Sequence, residues 1–237
     1  AFAESYNLLP DVDIRSIYLD QAQHLWLGSR EQGVFIGTPQ YTGFVSLAKQ
    51  MPETLAEDGN RLISAIYHDQ AGGLWLAAQN NLLYRHADKQ AWLSIELRKQ
   101  FGIRKVYRIT ADPAGQLWFA TDRGLYRLEQ QKLVAVNTPF ELAGIRVGGV
   151  TELYISAQGH FYLGLWQHGL VFWQPKQLLS RLELSQLSET SGDQIYQLSQ
   201  SQDGHFFAVS RYSGLFTKAS AEASWRPLPI ETQGLVD

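Results

Sequence analysis

The stretch Val106-Tyr-Arg-Ile109-Thr-Ala-Asp112-Pro-Ala-Gly115-Gln-Leu-Trp118-Phe-Ala-Thr121-Asp-Arg-Gly124-Leu-Tyr126 decides the fold. It reads as a β-branched and aromatic run, a polar turn, a second run carrying a large ring, a turn closed by glycine, and a third apolar run. The central phrase recurs as Asp20-Gln-Ala-Gln-His-Leu-Trp26, Asp69-Gln-Ala-Gly-Gly-Leu-Trp75, Ser156-Ala-Gln-Gly-His-Phe-Tyr162 and Ser201-Gln-Asp-Gly-His-Phe-Phe207. The rings stand 49, 43, 44 and 45 residues apart. A period of that length, made of short strands, predicts four-stranded units repeated around an axis.

Working outward, the first copy predicts strands over Ile14–Leu19, His24–Gly28, Val34–Ile36 and Phe44–Leu47. The five units fall at about 11–47, 62–97, 105–136, 150–184 and 195–229, in one domain of 237 residues. Glycines 33, 124, 169 and 214 mark one shared turn where a positive φ is expected, with Asn81 as the substitute in the second copy. No segment sustains a 3.6-residue period, so only a short helical turn near 47–51 or 139–143 is expected, and 98–104 reads as a connecting loop. The fold class is all-β: a β-propeller of five four-stranded antiparallel blades, as a closed ring or as part of a longer array.

With 45% hydrophobic and 12% aromatic residues there is ample core material, and a net charge of −3 gives no field to steer nucleic acid. Cysteine is absent, which removes thiolate nucleophiles and cysteine metal sites. No stretch approaches the roughly 20 apolar residues of a membrane span. The termini add one expectation: Gln233-Gly-Leu-Val-Asp237 echoes Asn7-Leu-Leu-Pro-Asp11, as if a further repeat began there.

Aligned, the copies resemble the two-component regulator propeller repeat, over about residues 11–229. That family is found in the extracytoplasmic sensory region of bacterial hybrid histidine kinases and of some diguanylate cyclases with a GGDEF domain. The resemblance implies a periplasmic sensor that binds a ligand, often carbohydrate in the hybrid kinases, and signals to an output domain elsewhere in a membrane-bound parent. The last two copies depart from the pattern, having lost both the Trp and the turn Asp.

The repeated rings Trp26, Trp75, Trp118, Tyr162 and Phe207 read as seam-filling core, since equivalence in every copy is what a shared core demands. Asp20, Asp69 and Asp112 read as turn residues bonding nearby backbone N–H groups. His24, His160 and His205 share one position and cannot converge on an ion, so neither metal nor cofactor is expected. A binding site should instead break the symmetry. The turns after each second strand, together with Arg15, Arg61, Arg104 and Lys105 at the lead-ins to the first strands, should share one face. On it, Arg30, Arg123, Trp166, His168, Arg211 and Tyr212 are the candidate ligand contacts: guanidinium groups for a carboxylate or sulfate, rings for a sugar face.

Glu31 and Asp122 are the only acidic residues in those turns, and no nucleophile elbow, phosphate loop or His-Glu-x-x-His occurs, so catalysis is disfavoured. The leading reading is therefore a non-catalytic extracytoplasmic sensor for a polar ligand such as a carbohydrate, joined to the rest of its parent. The alternatives are a structural interaction module, which could form a homodimer, and a carbohydrate-active enzyme.

Overall fold

A computed structural model of the chain describes residues 12–20, 22–37, 44–52, 62–89, 91–136, 148–166, 169–174, 180–182, 194–221 and 223–228. These hold five four-stranded antiparallel sheets, each a meander. Blade 1 comprises β1 (Ile14–Leu19), β2 (Leu25–Ser29), β3 (Val34–Gly37) and β4 (Val45–Ser46). Blade 2 comprises β5 (Ile63–His68), β6 (Leu74–Ala78), β7 (Asn81–Arg85) and β8 (Trp92–Glu96), and blade 3 comprises β9 (Val106–Ala111), β10 (Leu117–Thr121), β11 (Gly124–Glu129) and β12 (Lys132–Ala135). Blade 4 comprises β13 (Val150–Ile155), β14 (Phe161–Leu165), β15 (Gly169–Trp173) and β16 (Ser180–Leu182). Blade 5 comprises β17 (Ile195–Gln200), β18 (Phe206–Ser210), β19 (Leu215–Lys218) and β20 (Arg226–Pro227).

The expected turns are seen, with one correction. Gly33, Gly124, Gly169 and Gly214 have φ of 81°, 106°, 77° and 86°. In the second copy the left-handed residue is Gln79, at φ 49°, and not Asn81, which opens β7 opposite Ala78. That hairpin has two turn residues, Gln79 and Asn80, so the positive φ moves to the head of the turn.

Helix is confined to two short pieces among the described residues. The 3₁₀ turn Ala48–Gln50 lies within the expected 47–51, whereas 139–143 falls outside the described residues. The loop expected over 98–104 is corrected by α1 (Leu97–Phe101). Gly102 closes α1 at φ 68°, donating to Arg98 O at 3.0 Å, while Ile103 donates to Leu97 O at 3.3 Å; Leu97 and Ile103 are both fully buried. One and a half turns are too short to leave a periodic signature.

The chain divides into two compact units, residues 1–109 and 110–237. In the first, Trp26, Val34, Leu47 and Met51 of blade 1 bury against Ile63, Ile66, Leu74, Leu76 and Leu83 of blade 2. In the second, Trp118, Ala120 and Leu125 of blade 3 bury against Val150, Leu153, Phe161, Leu163 and Val171 of blade 4. The other face of blade 4, through Tyr162 and Leu170, buries against Ile195, Leu198, Phe206 and Phe216 of blade 5. Trp26, Trp118 and Tyr162 thus sit in seams covered by the following blade, whereas in blade 5 the buried core ring is Phe206 and the expected Phe207 is only half-buried.

The first strands also bind blade to blade by hydroxyl groups. A register shift interrupts the start of β1, β5, β13 and β17, and such a bulge frees a residue from its ladder. Close by, Ser16 Oγ donates to Ile63 O (3.2 Å), Ser64 Oγ to Val106 O (2.7 Å) and Thr151 Oγ1 to Ile195 O (3.0 Å). The crossing is close: a Cβ built on Gly28 would lie 2.8 Å from Ile63, and one on Gly164 2.9 Å from Ile195. This is why the second strand carries glycine or alanine after its apolar core, as Gly28, Ala77, Ala120 and Gly164.

Candidate functional site

In blades 1, 2, 4 and 5 the hairpin turn after the second strand is tied to the lead-in of the first strand by one recurring backbone bond. Arg30 N donates to Asp13 O (2.8 Å), Gln79 N to Leu62 O (3.1 Å), Trp166 N to Gly149 O (3.0 Å) and Arg211 N to Gln194 O (2.9 Å). Turn and lead-in therefore share one edge of these four blades, as the sequence led us to expect. The bond also sets an equivalence that spacing alone does not give: Arg30, Gln79, Trp166 and Arg211 are the same position in four blades, and Arg123 stands one residue later in blade 3.

Side-chain hydroxyls hold these turns in shape. Ser29 Oγ donates to Gly33 O and accepts from Gln32 N, and Thr121 Oγ1 donates to Gly124 O and accepts from Arg123 N. Ser210 Oγ accepts from Ser213 N at 2.8 Å. Ser29, Thr121 and Ser210 are buried, while Arg30, Arg123 and Arg211 on the same turns are exposed.

In the first unit, Arg30 is exposed and lies 3.7 Å from Asp13, which also pairs with Arg15 at 2.5 Å. Asp13 is the acidic partner that the sequence reading missed, because it lies on the lead-in and not in a turn. Nearby, the Lys105 ammonium rests over the Tyr107 ring at 4.6 Å. Desolvation there, and then the charge of Arg15, hold its pKa below the ordinary lysine value. Arg61 lies outside the described residues.

In the second unit, Trp166 is 37% and Tyr212 59% exposed, and the Arg211 guanidinium lies over the Tyr212 ring at 4.9 Å. Arg123 is exposed on its own turn. His168 and Gln167 fall outside the described residues. The buried acid Glu152, 2% exposed on β13, was not singled out in the sequence; its only signal there is a carboxylate in a strand of otherwise apolar and small residues.

The turn aspartates do more than cap backbone. Asp20, Asp69 and Asp112 each accept backbone N–H bonds in their own turn and also the indole N–H of Trp26, Trp75 and Trp118, at 2.9, 3.1 and 3.0 Å. His24 bonds Asp20, His205 bonds Asp203 and His160 bonds Gln174, each within its own blade. Among the described residues no group of three or more His, Asp or Glu side chains gathers as a metal site.

No family model and no curated protein matches the chain. Solved structures match by shape. One is the extracellular domain of the putative hybrid two component system BT4673 from B. thetaiotaomicron, with TM-score 0.60 and 14% identity over 98% of this chain. The fold is a β-propeller. The propeller spans 35% of that structure's length. Two further likenesses are virginiamycin B lyase from Staphylococcus aureus (TM-score 0.69, 10% identity, 95% of this chain and 72% of that one) and the GH74 xyloglucanase from Xanthomonas campestris (TM-score 0.67, 17% identity, 94% and 39%). The likenesses thus include an extracellular domain of the system type that the repeats resemble, and also two enzymes built on the same fold. No helix among the described residues is long and apolar enough to cross a membrane.

Proposed function

We propose that this propeller is the extracytoplasmic sensory region of a bacterial membrane-bound signalling protein, and that it binds a polar ligand, carbohydrate foremost, on the edge built from its second-strand turns. The observation that carries the reading is the pairing of Arg211 with the exposed Tyr212 on a turn equivalent to that of Trp166. An exposed ring stacks on the apolar face of a sugar, and a guanidinium beside it takes a carboxylate or sulfate. In this reading the propeller is non-catalytic, and an output domain elsewhere in the parent transmits the signal.

Calorimetric titration with a panel of neutral and acidic oligosaccharides tests the reading. Saturable heat that Trp166→Ala and Arg211→Ala each abolish supports it. Turnover of any of these glycans, or binding indifferent to both substitutions, refutes it.

One observation favours the second reading, an interaction module. Ile17 is 64% exposed, while the residues that pair with the second strand as it does, Ile66, Leu153 and Leu198, are 5%, 2% and 5% exposed because the preceding blade covers them. Leu19 on the same face is 55% exposed. Sedimentation of the wild type against Ile17→Lys and Leu19→Lys decides: a concentration-dependent assembly lost in both variants supports an apolar interface on this face, and a monomer throughout refutes it.

A further inference from the structure

In every blade the repeated ring of the second strand faces a cross-strand partner on the third strand. Trp26 pairs with Ile36, Trp75 with Tyr84, Tyr162 with Phe172 and Phe207 with Thr217. Tyr84 and Phe172 add a second ring to the seam, with centroids 4.2 and 4.9 Å from their partners. In blade 3 the partner of Trp118 is Arg127. Arg127 is the one charged residue among these five partners, and here the seam between blades 3 and 4 opens into a cleft of ≈ 530 Å³. That volume is of the order of small-molecule sites, which run from about 300 to 1,000 Å³.

Trp118, Phe161 and Trp173 form an aromatic wall, their centroids 4.7, 4.8 and 6.3 Å apart, while Asp112, Arg127 and Gln158 supply the polar rim. The seam between blades 4 and 5 is filled differently. At the position of Trp173 stands Lys218, only 6% exposed, its ammonium 4.9 Å from the Tyr162 ring and 4.7 Å from Phe206, donating to Ala221 O at 3.0 Å. Beside Trp118 that same position carries Trp173 as part of the wall, and the third-strand position that Phe172 fills with a ring in blade 4 carries Arg127 instead.

We infer that this cleft binds a small ligand made of a flat aromatic ring and a carboxylate. The ring takes the place that Tyr84 and Phe172 occupy in their own seams, against Trp118 and Trp173. The carboxylate accepts from the Arg127 guanidinium. Arg127 now pairs with Glu129, but both side chains are more than two-fifths exposed, so the ion pair is weak and a ligand carboxylate displaces Glu129 at little cost. Asp112 accepts from Ala114 N, Gln116 N and Trp118 Nε1, which turns the acid end of the ligand toward Arg127 and leaves Asp112 able to take one donor, such as a phenol, from the ring. The cleft is independent of the second-strand turns, which lie at another edge of the blade.

Titration of the whole chain with 4-hydroxyphenylacetate, followed by calorimetry and tryptophan fluorescence, tests the inference. The expected result is saturable quenching, with the neutral analogue 4-hydroxyphenylethanol binding about tenfold more weakly, since a charged hydrogen bond to arginine is lost. Arg127→Gln, which leaves the cleft open, should weaken the acid about tenfold for the same reason. Arg127→Phe, which restores the ring found in blade 4, should abolish binding and raise the melting midpoint. Trp166→Ala and Arg211→Ala should leave this binding intact, which separates its failure from failure of a loop-edge site. No saturable signal at millimolar acid, equal binding of acid and alcohol, or unchanged affinity in Arg127→Gln would each overturn it.

Discussion

The indole Nε1 of Trp118 donates to Asp112 Oδ2 at 3.0 Å, across the turn that joins the first and second strands of blade 3. The same bond recurs from Trp26 to Asp20 and from Trp75 to Asp69, six residues apart each time. It explains why the fourth and fifth copies lose Asp and Trp together: Tyr162 and Phe207 have no ring N–H to place there, so Ser156 and Ser201 suffice to hold the turn.

Removing the acceptor should therefore cost more than a turn contact. Asp112→Ala leaves a buried indole N–H and two turn N–H groups without their acceptor, and a loss of about 1.5–3 kcal/mol is expected for bonds to a charged group. In a Trp118→Phe background the same substitution should cost clearly less. A double-mutant cycle in urea measures the difference, and strict additivity contradicts the pairing.

Asp20 gives the bond a pH signature. Desolvation acts to raise its pKa, but the bonds from Trp26 and His24 and the charge of His24 together hold it below the ordinary value of 3.8. A depressed carboxyl stabilises the fold above its unfolded pKa, and that contribution is lost as the pH falls through the folded value. The stability gap between wild type and Asp20→Asn should hold steady above about pH 5 and shrink below about pH 4. Thermal melts from pH 7 to pH 3 check it.

Lys105 predicts the opposite window. Burial, and then Arg15, place its folded pKa below the unfolded 10.5. The folded state therefore binds that proton less tightly, and wild-type stability rises with pH between the folded and unfolded values. Lys105→Gln should melt higher than wild type at neutral pH, with the advantage fading as the pH approaches 10.5. Paired melts across that range measure it.

Close blade crossings supply a steric prediction. Gly164→Val would drive a side chain into Ile195 and Thr151, and a loss of at least about 1–3 kcal/mol is expected from overpacking. The matching residue of blade 5 is Val209, 40% exposed, and Val209→Ala should shift stability by less than about 0.5 kcal/mol. Denaturant midpoints of the two variants give the comparison.

Much of this was legible in the chain because a repeat states its rules several times. Four glycines at one turn announced a shared left-handed residue, and the ring recurring at one position announced the seams that Trp26, Trp118 and Tyr162 fill, though in blade 5 the neighbouring Phe206 takes that role. What the sequence withheld depended on facts that spacing does not carry. The Asp-to-Trp bond needs the return of the second strand across the turn, although the joint loss of both residues in the last copies was its trace. The neutralising Asp13 lies across a lead-in, two residues from Arg15 and seventeen from Arg30, and only the backbone tie brings it to both. Arg127 was readable as a departure once Ile36, Tyr84 and Phe172 are aligned with it, but its consequence, an open seam, needs the packing of blade 4.

Trp26, Trp118 and Tyr162 set their rings in equivalent seams, and in blades 1 to 3 the second-strand indole is locked by the aspartate six residues earlier. Two-dimensional ¹⁵N–¹H spectra of the indole groups test this lock most directly. Slow-exchanging indole protons are expected for Trp26, Trp75 and Trp118, each lost or shifted only by the Asp→Asn substitution at 20, 69 or 112 respectively, with the Trp166 proton exchanging fast. Uniformly fast exchange, or indole resonances unmoved by all three substitutions, would contradict it.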